Sequence, residues 1–214
     1  TSPADTGAVT LCIPQDVQAE AYDFPAEMFE KRIWYIPRPR PDGAALQRAV
    51  ELIRSAKKPL IIAGGGVLYS EAEKLLQELV HRTGIPVAET FAGKGSLPYD
   101  DPHNLGAAGA TGTEGANAYS QSADLVIGIG TRYSDFTTAS KTAFQNREVK
   151  FLNINITEFD AHKHSGLALT GDVRAVLEDL LAALGDYKVN GTYSRKAAEY
   201  NRSWDEKVNK AYEP

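Results

Sequence analysis

The sequence contains a single cysteine, Cys12, and this scarcity excludes several classes of protein. One thiol cannot form a disulfide within the chain, and it cannot supply a cysteine-based zinc cage. We expect Cys12, which lies in an apolar run, to be a buried packing residue rather than a nucleophile. Four histidines are present, but without cysteines or a nearby pair of carboxylates the sequence predicts no metal site.

Long apolar runs and an excess of basic charge are also missing. No stretch approaches the roughly 20 apolar residues that cross a bilayer, and residues 1–5 are polar, unlike the start of a signal peptide. The formal net charge is −5, whereas nucleic-acid binding without base specificity needs clustered Lys and Arg. We therefore expect a cytoplasmic protein that binds neither membranes nor nucleic acid.

The sequence does contain a regular alternation of strand and helix patterns from residue 42 onward. This alternation is typical of a parallel sheet covered on both faces, and right-handed crossovers leave few topologies for it. The predicted fold class is therefore α/β, a Rossmann-like doubly wound parallel sheet of five or six strands with helices on both faces. Continuous apolar runs predict its strands at 58–63, 86–90, 124–129 and 149–156, with shorter ones at 105–108 and 168–171.

Capping residues mark where the helices begin. Asp42 and Asp172 each precede an apolar stripe at helical spacing, as N-cap residues do. Ser70 with Glu73 has the spacing of a capping box. A further helix is expected over 113–122, and residues 192–212 form a polar helical candidate with a thin apolar stripe. We expect this last helix to pack on something outside the chain.

The first 41 residues do not follow this pattern. Residues 8–13 form a strand-like run that Pro14 ends. A lone strand cannot bury both of its faces, so we expect it to belong to a sheet elsewhere. Residues 33–41 carry alternate prolines, which favour extended geometry and forbid a helix.

Three glycines between a predicted strand and helix, Gly64, Gly65 and Gly66, are candidates for binding a phosphate. Glycines there let backbone amides approach an anion, and a helix N-terminus adds a favourable dipole. They match neither the Gly-x-Gly-x-x-Gly pattern nor a Walker loop. The alternative is a tight turn where strand and helix cross closely.

Arg132 follows the strand at 124–129, at the edge where open α/β sheets collect ligands. Its guanidinium suits a phosphate or a carboxylate. The alternative is that Arg132 pairs with Asp135 or with a neighbouring domain. Residues 109–113, which include Gly112 and Thr113, either present amides at the same edge or form a flexible turn.

The order of these motifs resembles the thiamine-diphosphate decarboxylase and synthase superfamily. Within it, the resemblance is strongest to the trihydroxycyclohexanedione hydrolases of myo-inositol breakdown. Residues 135–141, Asp-Phe-Thr-Thr-Ala-Ser-Lys, are the specific part of that resemblance. More widely shared motifs that carry it lie at 89–94, 104–106, 111–113 and 130–132.

The resemblance implies that the chain spans the middle of a three-domain enzyme. Residues 1–25 would end a truncated pyrimidine-binding domain, 26–41 would be a proline-rich linker, and 42–185 would be the central domain. Residues 186–214 would form a linker helix towards a pyrophosphate-binding domain. The whole enzyme, a homo-oligomer, would use thiamine diphosphate and magnesium to hydrolyse a carbon–carbon bond of a cyclic 1,2-diketone.

The resemblance places no catalytic residue in this chain. The Glu that activates the cofactor would precede residue 1, and the Gly-Asp-Gly…Asn metal motif would follow residue 214. Gly171-Asp172 continues with Val, and Gly185-Asp186 continues with Tyr, so neither fits that motif. We therefore expect the chain by itself to be catalytically inactive.

Some relatives in this superfamily hold FAD in the middle domain, at positions that correspond to the six candidates for cofactor binding. Asn153 and Asn155 stand where those relatives often carry acidic residues, so the resemblance favours a scaffold without flavin. The alternative is an FAD- or ADP-binding central domain of an acetohydroxyacid-synthase-like enzyme. An NAD-dependent deacylase is disfavoured because the single cysteine removes its usual zinc module. The six candidates are Gly64, Gly65, Gly66, Gly112, Thr113 and Arg132.

Overall fold

The computed structural model describes residues 2–213. The chain divides into two compact units, the first ending at Pro37 and the second beginning at Arg38. The boundary falls inside the stretch predicted to be a linker. The second unit contains all the strands of the described residues and is the part that positions the candidate site.

The second unit is built on a six-stranded sheet in the order β3-β2-β1-β4-β5-β6. Every neighbouring pair is parallel, which confirms the predicted doubly wound Rossmann-like fold. All six predicted strands form, each within a few residues of the predicted bounds. The strands are β1 (Pro59–Ala63), β2 (Val87–Glu89), β3 (Asn104–Ala107), β4 (Leu125–Ile129), β5 (Lys150–Asn155) and β6 (Leu167–Thr170).

Helices connect the strands, and short 3-10 turns lie at Ala26–Phe29, Phe91–Gly93 and Lys163–Ser165. The α-helices are α1 (Gln15–Gln18), α2 (Gly43–Ser55), α3 (Gly65–Tyr69), α4 (Glu73–Thr83), α5 (Glu114–Ser122), α6 (Asp135–Thr138), α7 (Glu158–Ala161), α8 (Val173–Leu184) and α9 (Gly191–Ala211). None of the helices described is long and apolar enough to cross a membrane.

The core lies on both faces of the sheet because successive strand residues point to opposite sides. Ile61 of β1 packs with α2, α4 and α8 on one face. Leu60 and Ile62 of the same strand pack on the other face, where Tyr119 of α5 and Ala197 of α9 complete a second cluster. Burial on both faces explains why β1 is a continuous apolar run.

Helix α9 packs on the sheet domain, contrary to expectation. Ala197 is fully buried, and Tyr193 and Tyr200 pack beside it. The hydroxyl of Tyr119 donates to the carbonyl of Tyr193 at 2.6 Å, and the hydroxyl of Tyr193 donates to the carbonyl of Pro59 at 3.1 Å. The prediction that this helix packs on something outside the chain is therefore wrong for its first half.

Two of the three predicted helix caps are confirmed. The Asp42 and Asp172 carboxylates accept hydrogen bonds from the amides of Ala45 and Ala175. The capping box at Ser70 is wrong, because α4 begins at Glu73 with Ala72 as its N-cap. The Ser70 hydroxyl instead donates to Asp172 Oδ2 at 3.0 Å.

Arg38 anchors the start of the second unit. Its guanidinium donates to the carbonyl of Ser70 at 2.9 Å and to Asp172 Oδ2 at 3.0 Å. The amide of Asp172 donates to the carbonyl of Pro39 at 2.9 Å. Because the Asp172 side chain is almost completely buried, this ion pair fixes the chain firmly at the point where it enters the domain.

The first unit corrects two predictions. Residues 8–13 form no strand and are exposed, because an extended segment without a neighbouring strand makes no ladder. Cys12 is exposed rather than buried. Val9 and Leu11 in the same segment are 92% and 81% exposed, so their apolar character alone does not produce a packed element.

Candidate functional site

The predicted candidates lie at the carboxyl edge of the sheet, where all six parallel strands end. β1 and β4 are neighbours at its centre, and the strand order reverses between them. In doubly wound sheets ligands bind at this switch point. Gly64, Gly65 and Gly66 follow β1, while Gly130 and Arg132 follow β4, so the structure brings these two groups together.

At the switch point, the backbone after β1 is hydrogen-bonded directly to the backbone at the end of β4. The amide of Gly64 donates to the carbonyl of Ile129 at 2.8 Å, and the amide of Gly66 donates to the carbonyl of Gly130 at 3.0 Å. A Cβ at Gly64 would collide with the carbonyl of Gly130, and one at Gly66 would lie 2.6 Å from its Cα. Glycine is required here because two backbone segments touch, and two of the amides considered for phosphate binding are already paired.

Arg132 places its side chain in solvent beyond this contact. Its carbonyl accepts a hydrogen bond from Lys163 Nζ at 2.7 Å, and Lys163 also pairs with Asp160 at 2.7 Å. Within residues 2–213 the guanidinium makes no hydrogen bond or ion pair, so the pairing with Asp135 considered from the sequence is not seen. Arg132 therefore presents a positive charge at the carboxyl edge.

Gly112 and Thr113 lie on a separate turn after β3, and hydrogen bonds connect the backbone of this turn. The amide of Gly112 donates to the carbonyl of Gly109, and the amide of Thr113 to that of Ala107, each at 3.0 Å. The Thr113 hydroxyl caps α5 by accepting from the amide of Ala116. Asn117 adds hydrogen bonds to both backbone groups of Gly109.

The loop after β4 is anchored by a buried tyrosine. The Tyr133 hydroxyl donates to Asn153 Oδ1 at 2.8 Å, and burial raises the pKa of Tyr133 above its usual value. Gly128 of β4 leaves space for this ring, since a Cβ there would collide with the Tyr133 hydroxyl. The glycine and the tyrosine are thus parts of one packing arrangement.

Asn153 and Asn155 hold the loops of this edge through their amides. Asn153 Nδ2 donates to the carbonyls of Ala161 and Lys163, at 3.0 and 2.8 Å. Asn155 Nδ2 donates to the carbonyl of Thr131 at 3.0 Å. A carboxylate could not donate these hydrogen bonds. The asparagines at these positions therefore have an internal structural role.

Residues 135–141 adopt an unusual backbone. After α6, the consecutive residues Ala139, Ser140 and Lys141 all have positive φ, at 47°, 53° and 67°. Each such residue other than glycine costs about 1–2 kcal/mol. The amide of Ser140 donates to the carbonyl of Asp135 at 3.1 Å, and that of Ala143 to the carbonyl of Thr138 at 3.0 Å, which offsets part of the cost.

An exposed aromatic pair lies beside this loop. Phe91 follows β2 and Phe136 lies in α6, with ring centroids 5.6 Å apart and nearly perpendicular planes. Their exposed fractions are 66% and 56%. Sequence reasoning overlooked both rings as surface residues. The available signal was a phenylalanine in the loop that follows a strand, two residues after β2 for Phe91 and seven residues after β4 for Phe136.

His164 lies behind the loop, stacked on Phe151 with ring centroids 4.6 Å apart. Burial lowers the pKa of His164, and the positive charges of Lys163 and Lys141 lower it further. His162 lies in solvent, 3.8 Å from Glu158. The two histidines, although only two residues apart, therefore do not form a joint site.

A second group of polar side chains lies at the opposite edge of the sheet, where β3 begins. His81, Asp101 and His103 come together there, a group that sequence reasoning missed because His81 is distant in the chain from the other two. Burial of Asp101 favours a higher pKa, but hydrogen bonds from the His103 amide and both imidazoles lower the pKa below its usual value.

Comparison with known families gives a match over residues 46–180. The matching family is described as the central domain of thiamine pyrophosphate enzymes. The match covers most of the sheet domain, from α2 into α8.

The chain is also similar to longer bacterial proteins. It is 47% identical over 212 residues to a 3D-(3,5/4)-trihydroxycyclohexane-1,2-dione hydrolase of Bacillus cereus (strain AH820), covering 99% of this chain and 33% of that protein. It is likewise 47% identical over 212 residues to the protein of the same name from Bacillus thuringiensis (strain Al Hakam), covering 99% of this chain and 33% of that protein. The chain thus spans about a third of the length of the curated relatives it matches.

Proposed function

Because the chain belongs to the family of thiamine pyrophosphate enzyme central domains, we propose that it is the middle domain of a 3D-(3,5/4)-trihydroxycyclohexane-1,2-dione hydrolase. The observation that carries this proposal is 47% identity along 99% of the chain to a protein of that name. The remaining two thirds of such a protein would supply the pyrimidine- and pyrophosphate-binding domains. The reaction would open a cyclic 1,2-diketone of myo-inositol breakdown by hydrolysing a carbon–carbon bond.

The carboxyl edge supports a positioning role for this domain rather than a chemical one. Its exposed groups include a guanidinium, Arg132, and the aromatic pair of Phe91 and Phe136. Exposed aromatic rings on a rigid edge are typical of a contact surface. We propose that this edge faces the domains that hold the cofactor and helps to shape the substrate pocket from outside.

Thiamine diphosphate and magnesium would be held by those other domains. When bound there, thiamine diphosphate would supply a nucleophilic carbanion. Among the described residues, the only group of three or more histidine, cysteine or carboxylate side chains close enough to share an ion lies at the opposite edge and includes two imidazoles. Magnesium prefers oxygen ligands, so this group does not fit a magnesium diphosphate.

A nucleotide fits the glycine turns poorly. The amides of Gly64, Gly66, Gly112 and Thr113 all donate to carbonyls of the chain itself. A pyrophosphate bound there would have to displace those hydrogen bonds. We propose that the middle domain works without FAD or ADP and that the glycines serve close packing.

The proposal can be tested with the coding region extended on both sides of this segment. The extended protein, supplied with thiamine diphosphate and magnesium, should hydrolyse 3D-(3,5/4)-trihydroxycyclohexane-1,2-dione, and the 214-residue chain should not. Activity of the chain alone, or an extended protein that is folded and loaded with cofactor but inactive on this diketone, would contradict the proposal.

The proposal that the domain binds neither FAD nor ADP is tested by a separate measurement. FAD and ADP are titrated into the chain while the thermal unfolding midpoint is followed. Binding at 100 times the dissociation constant stabilises a protein by about 2.7 kcal/mol, which is readily seen. We expect no saturable shift, and a yellow, flavin-containing preparation would overturn this part of the proposal.

A further inference from the structure

His81, Asp101 and His103 form a compact group, here called the histidine–aspartate group, at the amino end of β3. Their ligand atoms all lie within 4.8 Å of one another. His81 lies in the last turn of α4, while Asp101 and His103 lie in the turn that leads into β3. The group is therefore on the edge of the sheet opposite to the aromatic pair.

The backbone holds these residues in place. The carbonyl of His103 accepts from the amide of Val87 at 2.8 Å, as part of the pairing between β2 and β3. The amide of Asn104 donates to the carbonyl of Asp101 at 2.9 Å. Because two of the three side chains stem from a turn fixed to the sheet, the group needs little ordering to bind a ligand.

The carboxylate of Asp101 is the centre of the group and is almost completely buried. Its Oδ2 lies 2.7 Å from His81 Nε2, and its Oδ1 lies 3.1 Å from His103 Nδ1. The side chains of His81, His103 and Asp101 are 48%, 19% and 3% exposed. A buried carboxylate thus points between two imidazoles, one of which opens to solvent.

Two imidazole nitrogens and one carboxylate oxygen are a ligand set suited to zinc and similar ions. Zinc binds such ligands at about 2.0–2.2 Å and keeps a fourth position for water when the protein supplies three. Imidazole also suits nickel and copper, whereas magnesium and calcium prefer oxygen. His81 is 48% exposed, so solvent reaches this side of the group.

We propose that the histidine–aspartate group binds one divalent ion of the zinc class through His81 Nε2, His103 Nδ1 and a carboxylate oxygen of Asp101. The ion replaces the two imidazole–carboxylate hydrogen bonds. Before the ion binds, His81 Nε2 and His103 Nδ1 carry the protons that they donate to the carboxylate. On binding, these protons exchange through solvent and each neutral imidazole holds its N–H on the other ring nitrogen, Nδ1 of His81 and Nε2 of His103. No oxidation state changes. The ion ties the end of α4 to the turn before β3, and this role does not depend on the proposed hydrolase function.

The test is isothermal titration calorimetry of the untagged chain with zinc chloride. All proteins carry Cys12→Ser, because the exposed thiol is itself a zinc ligand. We expect one saturable site and a rise in the unfolding midpoint, with magnesium chloride giving neither. His81→Gln and His103→Gln should each weaken zinc binding by about tenfold or more, at least the loss seen for outer-shell changes at zinc sites. His162→Gln, at an exposed histidine away from the group, should leave the affinity unchanged.

Cobalt(II) gives a second readout that general surface binding would not give. A four-coordinate cobalt site shows visible absorption bands, which we expect in the Cys12→Ser protein and in His162→Gln but not in His81→Gln. Circular dichroism shows whether each variant is folded. The proposal is overturned if the folded chain shows no saturable zinc binding, if His81→Gln and His103→Gln bind as well as their parent, if His162→Gln loses the site, or if magnesium binds equally well.

Discussion

The hydroxyl of Tyr133 donates a hydrogen bond to Oδ1 of Asn153 at 2.8 Å, and this bond joins the loop after β4 to the middle of β5. Asn153 completes the connection by donating to the carbonyls of Ala161 and Lys163. One buried amide therefore links three segments of the carboxyl edge.

Tyr133→Phe should lower the free energy of unfolding by about 1–3 kcal/mol, because it leaves Asn153 Oδ1 buried without its donor. Urea unfolding followed by far-UV circular dichroism measures the change. Tyr212→Phe is the matched control, since Tyr212 is 84% exposed, and it should unfold as the unchanged chain does. Equal midpoints for Tyr133→Phe and Tyr212→Phe would show that the Tyr133 bond contributes nothing.

Gly64→Ala should destabilise the sheet domain by about 1–3 kcal/mol, the usual cost of forcing extra atoms into a packed site. The new methyl group would meet the backbone of Gly130 and, at 2.6 Å, the Cα of Thr131, neither of which can rotate away. Gly43→Ala is the control, because a Cβ there has nothing within 4 Å. Its stability should be unchanged or slightly higher. If Gly64→Ala proved as stable as Gly43→Ala, the close backbone contact would not be a real constraint.

Ala197→Asp should destabilise the protein by several kcal/mol, because it places a carboxylate in a fully buried position between α9 and the sheet. Thermal unfolding measures the loss. Ser203→Asp introduces the same side chain at an exposed position of the same helix and should change stability little. Similar midpoints for the two variants would mean that α9 does not belong to the core.

Stability should fall on mild acidification through His164. Its folded-state pKa is lowered, so the unfolded chain takes up a proton first, and the stabilisation present above about pH 6.5 is lost as the pH falls from there towards the folded pKa. The groups facing its ring are the aromatic side chains of Tyr133, Phe144 and Phe151 and the ammonium groups of Lys141 and Lys163.

The measurement compares unfolding midpoints at pH 8 and pH 5.5. His164→Asn removes the titrating ring and keeps a residue that tolerates the positive φ of 58°. It should lose less stability on acidification than the unchanged chain, whereas His162→Asn should behave like the unchanged chain. An identical pH dependence in all three proteins would exclude His164 as the source.

The parts of the fold that could be predicted from the sequence depend on local signals. β1 and β4 are buried on both faces, so they appear as continuous apolar runs. The Asp42 side chain caps α2 by accepting a hydrogen bond from the amide of Ala45, which is only three residues away. In each case the residues that determine the structure lie within a few positions of one another.

The failures depend on partners that are distant in the chain. Ser70 has the sequence pattern of a capping residue, but its hydroxyl binds Asp172, 102 residues away. Residues 8–13 have strand-forming composition and no neighbouring strand. Asn153 could be recognised as a departure from an acidic pattern, but its three partners could not be identified without coordinates.

The position of the candidate site could be predicted from the sequence, but the contacts of its residues could not. Gly64 and Arg132 lie at the sheet edge that the strand pattern predicts. The pairing of the Gly64 amide with the carbonyl of Ile129 depends on the register between β1 and β4, which could not be read from two uniformly apolar runs. The exposure of Phe91 and Phe136 likewise depends on tertiary packing.

The anchoring of Arg38 has a consequence for how such a domain can be exchanged between proteins. Its guanidinium, held by Ser70 and Asp172, fixes the entry of the polypeptide by contacts made wholly within the sheet domain. A recombination event that joins foreign sequence before Arg38 would keep these contacts, whereas one a few positions later would remove the arginine and its hydrogen bonds to Ser70 and Asp172. The position just before residue 38 is therefore a suitable junction for gene fusion.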